Sequence, residues 1–119
     1  MAHYLISFND GDMTFPREDL PTVAEAAHKV MREAIEAGIW VFGGGFEGFE
    51  AKHVALDGTV VDGPLAQSDL HYGGFCILKL DSDEDAQKWA HRIGLSCRCA
   101  QEIRKFMDDA EQEELLKKH

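Results

Sequence analysis

Asp62, His28, and the pair His71 and Tyr72 are the residues whose type and setting could do chemistry. Asp62 lies in Val60-Val61-Asp62-Gly63-Pro64-Leu65, straight after a β-branched run. Proline fixes its own φ and pushes the residue before it out of the helical region, while glycine takes dihedrals that others avoid. Asp-Gly-Pro is therefore expected to make a tight turn at a strand end, with the Asp62 carboxylate held in a fixed pose and projecting into a cleft. His28 is the natural partner, because an imidazole moves protons near neutral pH and a carboxylate can orient it and stabilise its charged form. Both residues have plainer readings. A histidine at the border of an amphipathic helix is ordinarily a surface residue, and an aspartate in such a turn ordinarily accepts backbone N–H bonds. His71 and Tyr72, beside Gly73-Gly74, would offer a proton donor and a ring for stacking on a flat ligand. Otherwise they are ordinary loop residues.

Glycines and cysteines supply the next candidates. Gly43-Gly44-Gly45-Phe46-Glu47-Gly48 matches G-x-G-x-x-G after an apolar strand. A dinucleotide site needs a helix next, whose N-terminus binds the pyrophosphate. Instead Ala51 to Leu56 alternates like a strand, and Asp57-Gly58 is a strong hairpin turn back into Thr59-Val60-Val61. A phosphate loop fails too, for want of Lys-Ser/Thr after the last glycine. The glycines read better as a bulge or a close backbone approach at the mouth of a pocket, with Gly44 a substrate-binding candidate. Cys97 and Cys99 would share one side of an expected strand from Ser96 to Ile103, and His53 or His91 could complete a metal set. No second cysteine pair or His-x-x-x-His accompanies them, so no metal and no cofactor is assigned. Asp81 to Asp85 alternates acids, but a calcium loop would need glycine where Ala86 stands and glutamate where Arg92 stands. No serine or cysteine sits in a nucleophile elbow, so acyl transfer is unsupported.

These residues need elements to hold them. His3 to Phe8 alternates with the period of a strand. Thr22 and Glu25 form a capping-box pattern and Gly38 a left-handed stop, which predicts a helix from about Val23 to Ala37. Its apolar face would carry Val23, Ala26, Ala27, Val30, Met31 and Ala34, with His28 at the border beside Ile35. Ile39 to Phe42 is a continuous apolar run, expected as a strand covered on both faces. Gly73 to Leu80 is a further strand. A second helix is capped by Ser82 with Asp85 three residues on, and is expected to end at Gly94. Trp40 and Trp89 read as core by their phases. The order β-α-β, hairpin, β-α-β and terminal helix predicts an α+β fold of the ferredoxin-like kind, with both helices on one face of a mainly antiparallel sheet. Residues 105–119 are expected to extend residues 1–104 as a helix with Phe106, Met107, Ala110 and Leu115 on one side. The sheet face carrying Phe42, Phe75 and Ile77 would be left for a second subunit.

Composition narrows the function classes. A chain of 119 residues suits one domain and buries enough surface to need no disulfide or metal. The formal charge of −10 argues against a nucleic-acid surface, which requires clustered lysine and arginine. No apolar run approaches a membrane span, and Met1-Ala2-His3-Tyr4 lacks the start of a signal peptide. The odd cysteine count, three, argues against a secreted disulfide framework. A cytoplasmic protein with reduced thiols is expected.

Several motifs together resemble the YCII-related, or DGPF-domain, proteins: His3-Tyr4-Leu5-Ile6, Gly38, Gly43-Gly44-Gly45, Asp62-Gly63-Pro64, Gly73-Gly74-Phe75, Trp89-Ala90 and Gln101-Glu102-Ile103-Arg104. Leu65 stands where the name-giving motif has phenylalanine, and the tail beyond Lys105 is longer than the minimal domain. The resemblance implies a dimeric α+β barrel, in which two sheets close face to face around a cavity, and hence a homodimer that binds a small, flat organic molecule. It also implies a His-Asp pair, carried onto Asp62 by the Asp-Gly-Pro match and onto His28 by its place before Gly38, in a lyase resembling dehydrochlorinases. The alternative is a noncatalytic regulatory or accessory module, since such domains are often encoded near alternative sigma factors. A third reading is oligomeric scaffolding through the terminal helix.

Overall fold

The computed structural model describes residues 1–9, 11–47, 51–63 and 72–119. The chain runs through β1 (Ala2–Asn9), a 3-10 turn (Arg17–Asp19), α1 (Leu20–Glu36), β2 (Trp40–Gly45), β3 (Lys52–Val54), β4 (Val60–Asp62), β5 (Tyr72–Leu80), α2 (Asp83–Cys97), β6 (Glu102–Lys105) and α3 (Ala110–Lys117). Four strands form an antiparallel sheet in the order β2-β5-β1-β6, while β3 and β4 pair as a separate ribbon. This α+β arrangement is compatible with the ferredoxin-like sandwich that the element order predicts.

Strand alternation places the core. Tyr4 and Ile6 of β1 stand beside their partners Leu78 and Cys76 of β5, and this face packs against Ala34 of α1 and Ala86 and Ala90 of α2. Three alanines at the contact let both helix backbones sit close to the sheet. Trp40, Trp89, Ile93 and Ile103 close the rim of this core, so both tryptophans are packing residues. Between the helices, Arg92 pairs with Glu33 and stacks 4.2 Å over the Trp89 ring.

Helix ends show where local signals work and where they mislead. Gly38 (φ +75°) donates to the Ile35 carbonyl while Ile39 donates to that of Ala34, a paired stop that only a left-handed residue allows. At the other end, the expected start at Val23 gives way to Leu20. Proline lacks the N–H that a first turn leaves unused, so Pro21 sits inside the helix rather than ahead of it, and Thr22 does not cap. Ser82 caps α2 by accepting from the Asp85 N–H at 3.1 Å. However, α2 does not end at Gly94; it continues to Cys97, and Arg98 (φ +59°) takes the left-handed position. The Cys99 N–H folds back onto the Gly94 carbonyl. A Cβ at residue 94 would meet the Cys99 carbonyl oxygen at 3.0 Å, so this glycine admits the returning chain instead of stopping the helix.

The other sheet face has no helical cover. Leu5 pairs with Ile77, and Ser7 with Phe75. A bulge between Trp40 and Phe42 makes Val41 the extra residue, so that Trp40 stands with Leu78 towards the helices and Phe42 with Ile77 away from them. Strand β2 is therefore not covered on both faces, and Phe42 is 63% exposed. On the same outer face Arg104 Nη2 donates to Glu102 at 2.6 Å. Arg104 Nη1 and the Ser7 hydroxyl are buried and find no hydrogen-bond partner among the described residues.

Candidate functional site

The seam between β2 and β5 is built from glycines that have no room for a side chain. A Cβ at Gly43 would lie 2.6 Å from the Cys76 Cβ, and one at Gly74 would lie 2.7 Å from the Gly44 carbonyl oxygen. Of the bulge or close approach expected of this stretch, the close approach is what its glycines provide, the bulge lying ahead of them at Val41, whereas Gly44 itself faces open space. Beside the seam, a cleft of about 350 Å³ opens between α1, the sheet and the end of α2. Val23, Ala27, Met31 and Trp40 supply apolar walls, and Gly44 and His28 both line it. His28 is exposed at the border of α1, so it reaches the cleft from the solvent side. Phe46 meets Phe75 edge-on at 5.7 Å between ring centres.

Its polar groups are few. Ser96 donates to the Ile93 carbonyl at 2.7 Å, and Gln101 uses its amide N–H on the Cys99 carbonyl and thiol. Among the described lining residues none is Asp, Glu, Lys or Arg. Burial pushes the Cys76 thiol up to about 12, with Cys97 adding to the shift, and raises Cys97 as well. These thiols are neutral lining groups at physiological pH, not nucleophiles. Ser96 and Gln101 escape sequence reasoning because the stretch alternates like a strand, when in fact Ser96 ends a helix and Gln101 closes a loop.

Asp62 lies elsewhere. It is the last residue of β4, opposite Lys52 on β3, and its carboxylate accepts from the Lys52 ammonium at 2.7 Å. The side chain is 88% exposed, which corrects the expected projection into a cleft. The turn is held by other atoms: Gly63 takes φ +107°, its N–H donates to the Ala51 carbonyl, and its own carbonyl accepts from His53 Nδ1 at 3.0 Å. Asp57 accepts from the Thr59 N–H to shape the hairpin turn, and the Thr59 side chain, with this backbone bond adding to it, lowers its pKa. His71 lies outside the described residues, and Tyr72 is the first residue of β5.

Cys97 and Cys99 do not share a strand face, because one ends a helix and the other lies in the loop behind it. Among the described residues no group of three or more His, Cys, Asp or Glu is placed to hold a metal ion. No described helix is long and apolar enough to cross a membrane. A wider and shallower groove of about 640 Å³ runs along α2, lined by Leu95, His91 and Arg98; neither His28 nor Asp62 is among its lining residues. No protein-family model matches this chain, and no curated protein matches it.

Proposed function

We propose that this chain is a small-molecule-binding protein of the YCII-related, DGPF-domain kind, taking a flat, uncharged organic molecule in the cleft beside β2 and β5. The observation that carries this reading is the cleft itself. It has about 350 Å³ of space, apolar walls and His28 at its edge, with no charged carboxylate, lysine or arginine among the described lining residues. Apolar walls supply affinity, and a few polar groups set orientation. The ferredoxin-like sandwich pairs through the outer sheet face of Leu5, Phe42, Phe75 and Ile77 to make a cytoplasmic homodimer of the dimeric α+β barrel type. The exposure of Phe42 supports this pairing.

Binding without turnover, as a regulatory or accessory module, is the reading favoured, since Asp62 is engaged by Lys52 and directed to solvent. A lyase using His28 and Asp62 as an acid–base pair comes second; what supports it is the place of His28 on the cleft wall. It requires Asp62 to leave Lys52.

NMR titration with indole, a flat neutral probe, tests the binding reading. Indole should shift Ala27, His28 and Gly44 in the wild type and leave His28 and Gly44 unmoved in a folded Ala27→Trp variant whose cleft is filled. Shifts elsewhere, or none, would sink it. Equal indole binding by Asp62→Asn, with no turnover of chlorinated aromatics by the wild type, separates the binding module from the lyase.

A further inference from the structure

The terminal helix α3 touches little of its own chain. Every residue from Lys105 to His119 is exposed, including Phe106, Met107 at 93%, and the adjacent Leu115 and Leu116 at 51% and 65%. Yet the helix is well formed, with Asp109 accepting from the Gln112 N–H at 3.0 Å as its cap. An isolated helix shorter than about 12–15 residues is marginal in water. Eight residues with two leucines in solvent therefore call for a surface to lie on.

The groove along α2 has the complementary character. Leu95, 68% exposed, lies on it with Ala90, Ala100 and Ile103, and its charged or titratable groups are His91, Cys99 and Arg98, whose guanidinium also donates to the Asp19 carboxylate at 2.8 Å. In a chain of net charge −10, this groove has no carboxylate among its described lining residues. The segment 106–119 carries five carboxylates (Asp108, Asp109, Glu111, Glu113 and Glu114) against two lysines. In a strongly acidic protein this groove is a patch without excess negative charge, so an acidic helix with two exposed leucines meets apolar contacts there, with Arg98 and His91 at the edge. The chain's own helix stands clear of the groove, so the occupant is not supplied within the protomer.

We propose that α3 of one copy docks into the α2 groove of a second copy, with Leu115 and Leu116 against Leu95 and the glutamates beside Arg98 and His91. This arm exchange is separate from pairing through the outer sheet face and does not depend on a ligand.

Disulfide trapping in a Cys99→Ser background tests it. Leu95→Cys and Leu116→Cys proteins, mixed and mildly oxidised, should give a covalent heterodimer far in excess of either homodimer. In light scattering on the untagged full chain, the double variant Leu115→Glu/Leu116→Glu should lower the mass or weaken self-association at least tenfold, with its circular dichroism core signal retained. A Leu95→Cys/Leu116→Cys double variant that forms only an intramolecular bond would overturn the proposal, because the arm would then serve its own domain. An unchanged mass for the glutamate variant, together with no trapped heterodimer, would overturn it as well.

Discussion

The Tyr4 hydroxyl donates to the Asp83 carboxylate at 2.6 Å, fastening the central strand β1 to the first residue of α2 across 79 positions of sequence. Lys105 Nζ lies 4.0 Å from the same carboxylate oxygen and 5.9 Å from the Tyr4 ring. Three elements thus meet at one phenol. The bond to Asp83, with burial and the neighbouring carboxylates adding to it, pushes Tyr4 up to about 12. In the unfolded chain a tyrosine ionises near pH ~10. The raised folded value means that this stabilisation is complete below pH ~10 and is lost as pH climbs towards about 12. Tyr4→Phe should unfold at lower urea at neutral pH, and the gap between variant and wild type should close over that alkaline window. Urea midpoints at a series of pH values measure it; a constant gap would mean the bond is not the source.

The glycines of the β2–β5 seam should differ sharply in their tolerance. Gly43→Ala and Gly74→Ala drive a methyl into backbone or Cβ atoms closer than 3 Å, at a cost on the order of 2–4 kcal/mol. Gly44→Ala meets nothing within 4 Å and should stay within ~1 kcal/mol of the wild type. Chemical denaturation of the three proteins is the check, and equal losses would refute the seam geometry.

Thiol labelling reads burial directly. Cys76 is pushed up to about 12 and Cys99 to about 11, in both cases first by burial, and Cys97 is raised by the same cause. At pH 8 the native protein should react with iodoacetamide on the order of 10²-fold or more slowly than the urea-unfolded chain. Cys99, the least buried, should be labelled first. Mass spectrometry of a time course gives the order, and prompt labelling of Cys76 would contradict the fold.

Ser7 is 1% exposed and its hydroxyl lacks a partner among the described residues. A buried hydroxyl without a bond carries a desolvation cost of about 1–3 kcal/mol. Ser7→Ala should therefore leave stability unchanged or raise it by up to ~1 kcal/mol. A loss of stability would show that Ser7 finds an acceptor in the assembled protein, across the outer sheet face.

How much of this was legible from the residues alone depended on whether a signal had one physical meaning. Ser82, Asp57-Gly58 and Gly38 each did, and each stands where expected because a cap, a hairpin turn and a left-handed stop are decided by a few adjacent residues. Gly94 had two, and the meaning that prevailed, close approach of the returning loop, depends on a chain segment that local reasoning cannot place. Taken as a helix stop, it turns the end of α2 into strand and puts Cys97 beside Cys99. For the site, the border position of His28 and the strand-end position of Gly44 follow from helix and strand periodicity, and both residues line the cleft. Asp62 did not follow. Which way a residue faces on a three-residue strand is fixed by its pairing, here with Lys52, and a turn motif does not encode that.

Gly45 pairs with Gly74, and the Phe46 N–H donates to the Gly73 carbonyl, so the chain leaves the sheet and rejoins it at one point. Closure entropy grows only slowly with the length of such an excursion. The β3–β4 ribbon is thus inserted at a single rung, and lengthening or shortening the insertion should leave the pairing of the four-stranded scaffold intact.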